Sequence, residues 1–412
     1  MENELFRMYY LLDAGSNNDP RLRVAIEYLE FLGTDKLSAE QLKKELYKLG
    51  CDFSVFASTE QTYIMLEGLS ENMEKAIVIM EDLLKYAKPD EDALRNLKDD
   101  ILKKREDAKK DRYAIFYEGL MNYGKYGPIS PFTNVLTNDV LQDISSEELV
   151  SIIRDFTTMN HIILYYGPKK EDELTAILKK HHQLPDQLNE VPASRIFTLQ
   201  DVIKPTVYWT HYDMVQTDAL FIMKAAKYDK NRIPAAELFS TFISTQVFRE
   251  LREAQGLAYS TYAYYVTPQK SQDYDVIYGY VGTQADKQVE SLSALKNILY
   301  NLPETEDGFK EARESLLKRI ESQRIIKQSV LFNYLSAQKL GLDYDIRRDV
   351  YNQIQSLTLS DLLKFHAENI KNKKYNLVLI GNREKINFKD LARYGEVKEV
   401  SLDELFGYKR TE

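Results

Sequence analysis

Cysteine is almost missing from this sequence. Cys51 is the only one in 412 residues, so no internal disulfide can form and no cysteine-built zinc site is available. A single cysteine fits a reducing cytosol without excluding a periplasm. Proline (11) and glycine (16) are too few for a collagen-like or low-complexity chain. No apolar run approaches the ~18 residues of a spanning helix, so membrane insertion is not expected. Basic residues are outnumbered, 55 Lys+Arg against 64 Asp+Glu for a formal charge of -9, which argues against a nucleic-acid partner. Lys103-Lys104-Arg105 sits among acids and reads as a solvated helix face. The opening residues, MENELFRMYYLLDAGS, carry neither a basic n-region nor a small-residue cleavage site. The compartment stays open between cytoplasm and periplasm, with periplasm favoured if the chain is cut from a longer secreted precursor.

What is present is the balance of a globular protein, 44% hydrophobic and 29% charged. At ~100–200 residues per domain, the length suggests two or three domains. Tyrosine is abundant, 29 residues, as fits half-buried strands.

An internal repeat organises the chain. Leu5-Phe6-Arg7-Met8 and Leu220-Phe221-Ile222-Met223 lie 215 apart (220 − 5). Gly68 and Gly282 lie 214 apart, as do Leu102-Lys103-Lys104-Arg105 and Leu316-Leu317-Lys318-Arg319, and Gly167 and Gly381. Ile144–Leu149 and Leu357–Leu362 are offset by 213. A near-constant offset at five separate places points to two copies of one fold. The boundaries expected are a first domain over 1–182, a linker over 183–205 that holds Pro185, Pro192 and Pro205, and a second domain over 206–412.

Each copy reads as strand, long helix, two strands, a block of helices and a closing strand. The strands expected are Leu5–Leu12, Asp52–Ala57, Thr62–Glu67 and His161–Tyr166, then Ala219–Ala226, Ala258–Val266, Asp275–Val281 and Asn376–Ile380. Ser70 and Asp90 are expected to cap the helices that follow them. Strands and helices in blocks predict an α+β fold of two tandem homologous domains, each a mainly antiparallel sheet packed with helices. Thr206–Trp209 reads as one more strand, and its counterpart in copy one would precede Met1. The first copy is therefore expected to lack its first strand, and the favoured reason is that the natural polypeptide is longer.

Motifs for self-sufficient chemistry are absent. None of the five histidines, His161, His181, His182, His211 and His366, has a partner at His-x-x-Glu-His spacing. Adjacent side chains such as His181 and His182 diverge on a helix. There is no phosphate loop, no Gly-x-Gly-x-x-Gly and no Gly-x-Ser-x-Gly elbow.

Two segments nevertheless carry a family resemblance. Val24-Ala25-Ile26-Glu27-Tyr28-Leu29-Glu30-Phe31-Leu32-Gly33-Thr34 resembles the zinc helix of pitrilysin-type (insulinase-like) metallopeptidases. In that family an inverted His-x-x-Glu-His motif precedes a Phe-x-Gly-Thr turn and a Ser-Ala-Glu helix start. Phe31–Thr34 and Ser38-Ala39-Glu40 match those two features, and Leu49–Ser58 looks like the family's Gly-x-x-x-Asn-Ala-x-Thr-Ser strand. Leu251-Arg252-Glu253-Ala254-Gln255-Gly256-Leu257-Ala258-Tyr259-Ser260 is very similar to the family's Leu-Arg-Glu-x-x-Gly-Leu-Ala-Tyr-Ser. The resemblance covers essentially the whole chain.

The departures matter equally. The motif's two His positions fall on Val24 and Tyr28, and only its Glu is present, as Glu27. The family's distal Glu ligand falls at Lys104-Arg105-Glu106, and only a slip of the alignment brings in Glu106. Zinc needs several lone-pair donors at ~2.0–2.3 Å, so no metal is expected on this chain. Without zinc the attacking water does not ionise at neutral pH. Glu27 then reads as a helix-face residue. The resemblance implies a different role for Arg252 and Tyr259, seven apart (259 − 252). In the family such a pair reaches from a second domain to hold the substrate and the oxyanion. The chain therefore resembles the non-zinc half of such an enzyme, inactive alone, with zinc expected on a homologous partner half and an unfolded peptide as substrate. A catalytically inactive scaffold is the alternative, and a homodimer stays open.

Overall fold

A computed structural model describes residues 4–409. Each expected strand forms within a few residues of its expected bounds. They are β1 (Leu5–Leu12), β2 (Cys51–Ala57), β3 (Thr62–Leu69), β4 (Ile162–Tyr166), β5 (Thr206–His211), β6 (Gln216–Lys227), β7 (Ser260–Val266), β8 (Tyr274–Gln284) and β9 (Asn376–Gly381), and a further short strand, β10 (Glu396–Glu399), forms where none is expected. The first sheet runs β2-β3-β1-β4 and is antiparallel throughout. The second runs β10-β5-β9-β6-β8-β7, with parallel pairs only at β10–β5 and β5–β9. The architecture is α+β, two mainly antiparallel sheets packed with helices.

Alternation along the strands decides what is buried. In β1, Phe6, Met8, Tyr10 and Leu12 point into one core, with Ile64 and Leu66 of β3 and the helix Met73–Tyr86. In β6, Ala219, Phe221 and Met223 point into the other, against the apolar helix Ile233–Phe248. Ser38, Ser145 and Thr358 close capping boxes with the residue three positions on. Asp90 caps as expected, its carboxylate accepting from the backbone of Ala93 at 2.9 Å. Ser70 does not: it is buried in a 3₁₀ turn, and the helix begins only at Met73.

The chain divides into two compact units, and these are not contiguous blocks. One takes in the described residues up to Ala108, Pro131–Phe197 and the residues from Gly407; the other takes in Lys109–Ser130 and Thr198–Phe406. The inserted piece, a π-helix Ala114–Leu120 continued by Met121–Tyr126, packs on the outer face of the second unit's sheet. A Cβ at Gly124 would lie 2.6 Å from Val378 of β9 and 3.0 Å from Ile222 of β6, so this approach needs glycine. The segment read as a linker, 183–205, holds no helix or strand, but it is not a free tether. Asn160 N–H donates to the Asn189 carbonyl and Asn189 N–H to the Thr158 carbonyl, both at 2.8 Å, and Arg195 N–H donates to the Asn17 carbonyl at 2.7 Å, so its first part lies on the first unit.

Candidate functional site

The helix Ile233–Phe248 widens into a π-turn, Arg249–Ala254, and stops where Gly256 takes φ +59°. No atom lies within 4 Å of a Cβ added there, so the glycine is required by conformation and not by space. The Leu251 carbonyl accepts from Leu257 (2.7 Å) and Ala258 (3.2 Å), which turns the chain back. Tyr259 then donates its backbone N–H to Gly282 at 2.9 Å, and β7 begins. Leu251, Leu257 and Ala258 are buried. Arg252 and Tyr259, at the two ends of the turn, are exposed, Tyr259 at 50%. The seven-residue spacing is thus a helix end, a left-handed turn and a strand start.

The turn is pinned from behind by residues that the sequence pattern did not single out. Thr283 Oγ1 and Ser291 Oγ donate to the Leu257 carbonyl at 2.5 and 3.2 Å, and Lys287 Nζ reaches the Gly256 carbonyl at 3.2 Å. Gln284 Nε2 donates to the Tyr259 phenol oxygen at 2.5 Å. With that lone pair used, the phenol's own proton is left to donate outward. Only the pairing register of β8 with β7, which sets Gly282 opposite Ser260, could have drawn attention to this group. The Arg252 guanidinium lies 5.1 Å from the Phe248 ring centroid and has no hydrogen-bond or ion-pair partner among the described residues. A guanidinium and a phenol with unused protons on a fixed turn can bind carbonyl oxygens or a developing oxyanion.

Beside Tyr259 the sheet face is aromatic. β7 is an edge strand, and its outward residues include Tyr262 and Tyr264, stacked with centroids 5.2 Å apart. Tyr262 stacks in turn on Tyr280 at 4.7 Å. Tyr280 donates to the buried Asp218 carboxylate at 2.8 Å, and Arg112 stands 3.5 Å from its other oxygen. Burial raises the Asp218 pKa, against the lowering effects of Tyr280 and Arg112. Burial likewise pushes the Tyr262 and Tyr280 phenols far up, so both stay neutral donors.

The positions aligned with the zinc ligands have a different character. Val24 and Tyr28 lie in the core, on the inward side of the helix Arg21–Leu29. The Tyr28 phenol donates to the Asp90 carbonyl at 2.6 Å, accepts from the Asp90 N–H at 2.8 Å and contacts Ser146 Oγ at 2.6 Å. Burial raises its pKa, so it offers no phenolate. Glu27 is half-exposed and meets Arg23 one turn away at 3.2 Å. Further on, Lys104 pairs with Asp100 at 2.6 Å, and the buried Arg105 donates to Asn138 at 2.7 Å. An apolar side chain, an engaged phenol and a buried cation do not fit a zinc ion. Among the described residues no group of three or more His, Cys, Asp or Glu is placed to hold a metal. His181 and His182 diverge, to Glu74 and to Glu81 with His161 respectively.

Comparison with known proteins gives two family matches. Residues 12–124 match the family model described as insulinase (peptidase family M16), and residues 143–316 match the one described as the peptidase M16 inactive domain. The chain is 25% identical over 356 residues to the non-peptidase homolog YmxG of Helicobacter pylori, covering 82% of this chain and 79% of that protein. It is 27% identical over 140 residues to the mitochondrial-processing peptidase subunit beta of Neurospora crassa, covering 34% of this chain and only 29% of that one. A crystal structure of a peptidase M16 inactive domain from Pseudomonas fluorescens has the same fold, with a TM-score of 0.71 at 17% identity over 92% of this chain and 93% of that one. The two family matches, with the fold that carries them, place the chain in the insulinase-like peptidase family, M16.

Proposed function

We propose that this chain is the non-zinc half of an M16-type peptidase, binding an unfolded peptide and contributing Arg252 and Tyr259 to catalysis on a zinc-bearing partner half. The observation that carries the reading is the pinned turn, which presents two exposed donors whose protons have no partner among the described residues. The metal chemistry belongs to the partner. This chain's residues hold the substrate: the aromatic face of β7 and β8 forms chamber wall, and the guanidinium and phenol stabilise charge on the scissile carbonyl. That the Neurospora relative is by name a subunit supports a shared enzyme. The chain alone should hydrolyse no peptide. Reconstituted with a zinc-bearing family half and assayed on an unfolded peptide, Arg252→Ala or Tyr259→Phe should cut the rate ~10²-fold or more. If both variants kept the parent rate, the reading would fail.

A second reading, an inactive scaffold, is favoured by the name of the Helicobacter relative, a non-peptidase homolog. It expects a stable complex with a partner whose own activity is indifferent to Arg252 and Tyr259.

A further inference from the structure

The two sheets leave equivalent strands in different states. β4 and β9 pair antiparallel with β1 and β6, and each runs into a glycine, Gly167 and Gly381, 214 apart (381 − 167). In the second sheet β5 covers the far side of β9 in parallel, with Val207 beside Leu377 and Trp209 beside Leu379. All four are at most 3% exposed. Trp209 also packs on Phe388, ring centroids 4.7 Å apart, in the short helix Phe388–Leu391 that follows β9. Among the described residues no strand pairs with the far side of β4. Ile163 and Tyr165, the counterparts of Leu377 and Leu379 at that offset, face the first core but stay partly exposed. So do Leu174 and Ile177, the counterparts of Phe388 and Leu391, in the helix Glu171–His181 that follows β4. That helix fully buries none of its residues, whereas Leu391 is 0% exposed. The other sheet edges are protected. β10 carries Glu396, Lys398 and Glu399 among its four residues, β7 buries its inward Thr261, Ala263 and Tyr265, and β2 buries Cys51 and Phe53. β4 reads Ile-Ile-Leu-Tyr-Tyr, with no charge and no proline, and buries only Leu164. The linker starts to cover it and leaves: Asn189 bridges Met159 in parallel just ahead of β4, and by Arg195 it has crossed to Asn17.

We infer that the free edge of β4 is a docking site for an extended segment of a partner polypeptide, added as a parallel strand. Two apolar side chains at alternate positions of that segment fill the gap left by Ile163, Tyr165, Leu174 and Ile177. The chemistry of the occupant is read from β5, which sets a β-branched residue and then a large aromatic one in the equivalent place, Val207 and Trp209. The direction follows from β5 on β9 and from Asn189 on Met159, both parallel. Among the described residues the strand of this type is already spent on β9, so the segment is supplied by another chain. Main-chain hydrogen bonds along the edge give affinity, and the two side chains give selectivity. None of this depends on the roles of Arg252 and Tyr259.

The probe is a synthetic peptide with the sequence of residues 204–211, labelled with fluorescein at its N-terminus and titrated into the full chain. Anisotropy should show saturable binding in the micromolar range, one peptide per chain. In the free chain, the amides of residues 162–167 that point away from β1 should exchange hydrogen fast. With peptide bound they should slow by about tenfold or more, while β2, β7 and β9 exchange as before. In the peptide, Val207→Asp with Trp209→Asp should weaken binding by about tenfold or more, and this arm leaves the folding of the chain untouched. In the chain, Ile177→Asp should do the same, with circular dichroism as the check on folding. A photo-crosslinker at the N-terminal end of the peptide should label residues 159–162. No saturable binding, protection that falls on another strand, equal binding of the aspartate peptide, slow exchange at the β4 edge in the free chain, or a cross-link at residues 167–169 each overturns the inference.

Discussion

Tyr28 stands where the family resemblance places a metal ligand, and its phenol can be weighed as a structural group. Tyr28→Phe removes one oxygen and no packing volume. That oxygen donates to the Asp90 carbonyl, accepts from the Asp90 N–H and touches Ser146 Oγ, all at 2.6–2.8 Å and out of water. The Asp90 N–H keeps Ser146 Oγ at 2.9 Å and the Asp90 carbonyl keeps Leu94 N–H at 3.0 Å, so the deletion removes hydrogen bonds without stranding a backbone group. A lost buried hydrogen bond whose partners stay satisfied costs ~0.5–1.5 kcal/mol, and about 1 is expected here. With a urea m-value of about 2 kcal/mol per molar, the midpoint for the first unit should fall by about 0.5 M. The assay separates the units, because the single tryptophan, Trp209, lies in the second. Far-UV circular dichroism should report the early loss of the first unit while the Trp209 fluorescence transition keeps the parent midpoint. Glu27→Gln is the control: its exposed pair with Arg23 is worth no more than ~0.5 kcal/mol. A Tyr28→Phe midpoint indistinguishable from that of Glu27→Gln would refute the assignment of the phenol to the framework.

Acid should destabilise the fold through two histidines, the partly buried His161 and the buried His366. Burial lowers the pKa of His161, which faces His182 at 2.9 Å, and of His366, which bonds the Leu299 carbonyl at 2.7 Å. Below the ordinary His value of ~6.5 the unfolded chain takes up protons that the folded chain refuses, so stability is intact above that pH and falls as pH drops toward the depressed folded values, by at most ~1.4 kcal/mol per unit for each group. Urea midpoints measured from neutral pH to mildly acidic pH should show this slope, His161→Asn should reduce it, and an unchanged slope in that variant would rule His161 out as a source. Gly256→Ala meets no atom but must hold φ +59°, so it should cost ~1–2 kcal/mol in the second unit, read as a shift of the Trp209 transition. No shift there would mean that the turn relaxes freely and that its pinning is weak.

What the sequence disclosed was set by the range of the interactions. Strand alternation is local, and β1 has the bounds expected of Leu5–Leu12. The repeat offset is a property of spelling and needs no contacts. Ala114, Ile115, Phe116, Gly119 and Leu120 are buried, and nothing local in the sequence says that this segment lies on β6, β8 and β9 rather than on the strands of its own repeat. β10, Glu396–Glu399, escapes notice because its four residues carry no apolar alternation and it pairs in parallel only with β5. The site divides in the same way. Arg252, Gly256 and Tyr259 are legible because one short turn fixes them. Gln284, Thr283 and Ser291 act through the fold's pairing and are silent in the sequence. At Tyr28 the position was legible and the role was not, since its partners Asp90 and Ser146 come from two other helix starts.

The two sets of residues singled out by the family resemblance therefore differ in what a substitution can report. Val24 and Tyr28 are packed into the first core, so returning histidine to either would bury a polar ring beside Leu29 and Ile26 and cost kilocalories before any metal could bind. At the position aligned with the distal ligand, the buried Arg105 donates to Asn138. Arg252 and Tyr259 are exposed and lie outside the buried core: among the described residues, the guanidinium's ring contact is Phe248 and the phenol's hydrogen-bond partner is Gln284. Truncating either should leave the unfolding midpoint within ~0.5 kcal/mol of the parent. A loss of rate in the assembled enzyme without a loss of stability then belongs to the donors themselves, and a loss of both would place the pair in the framework with Tyr28.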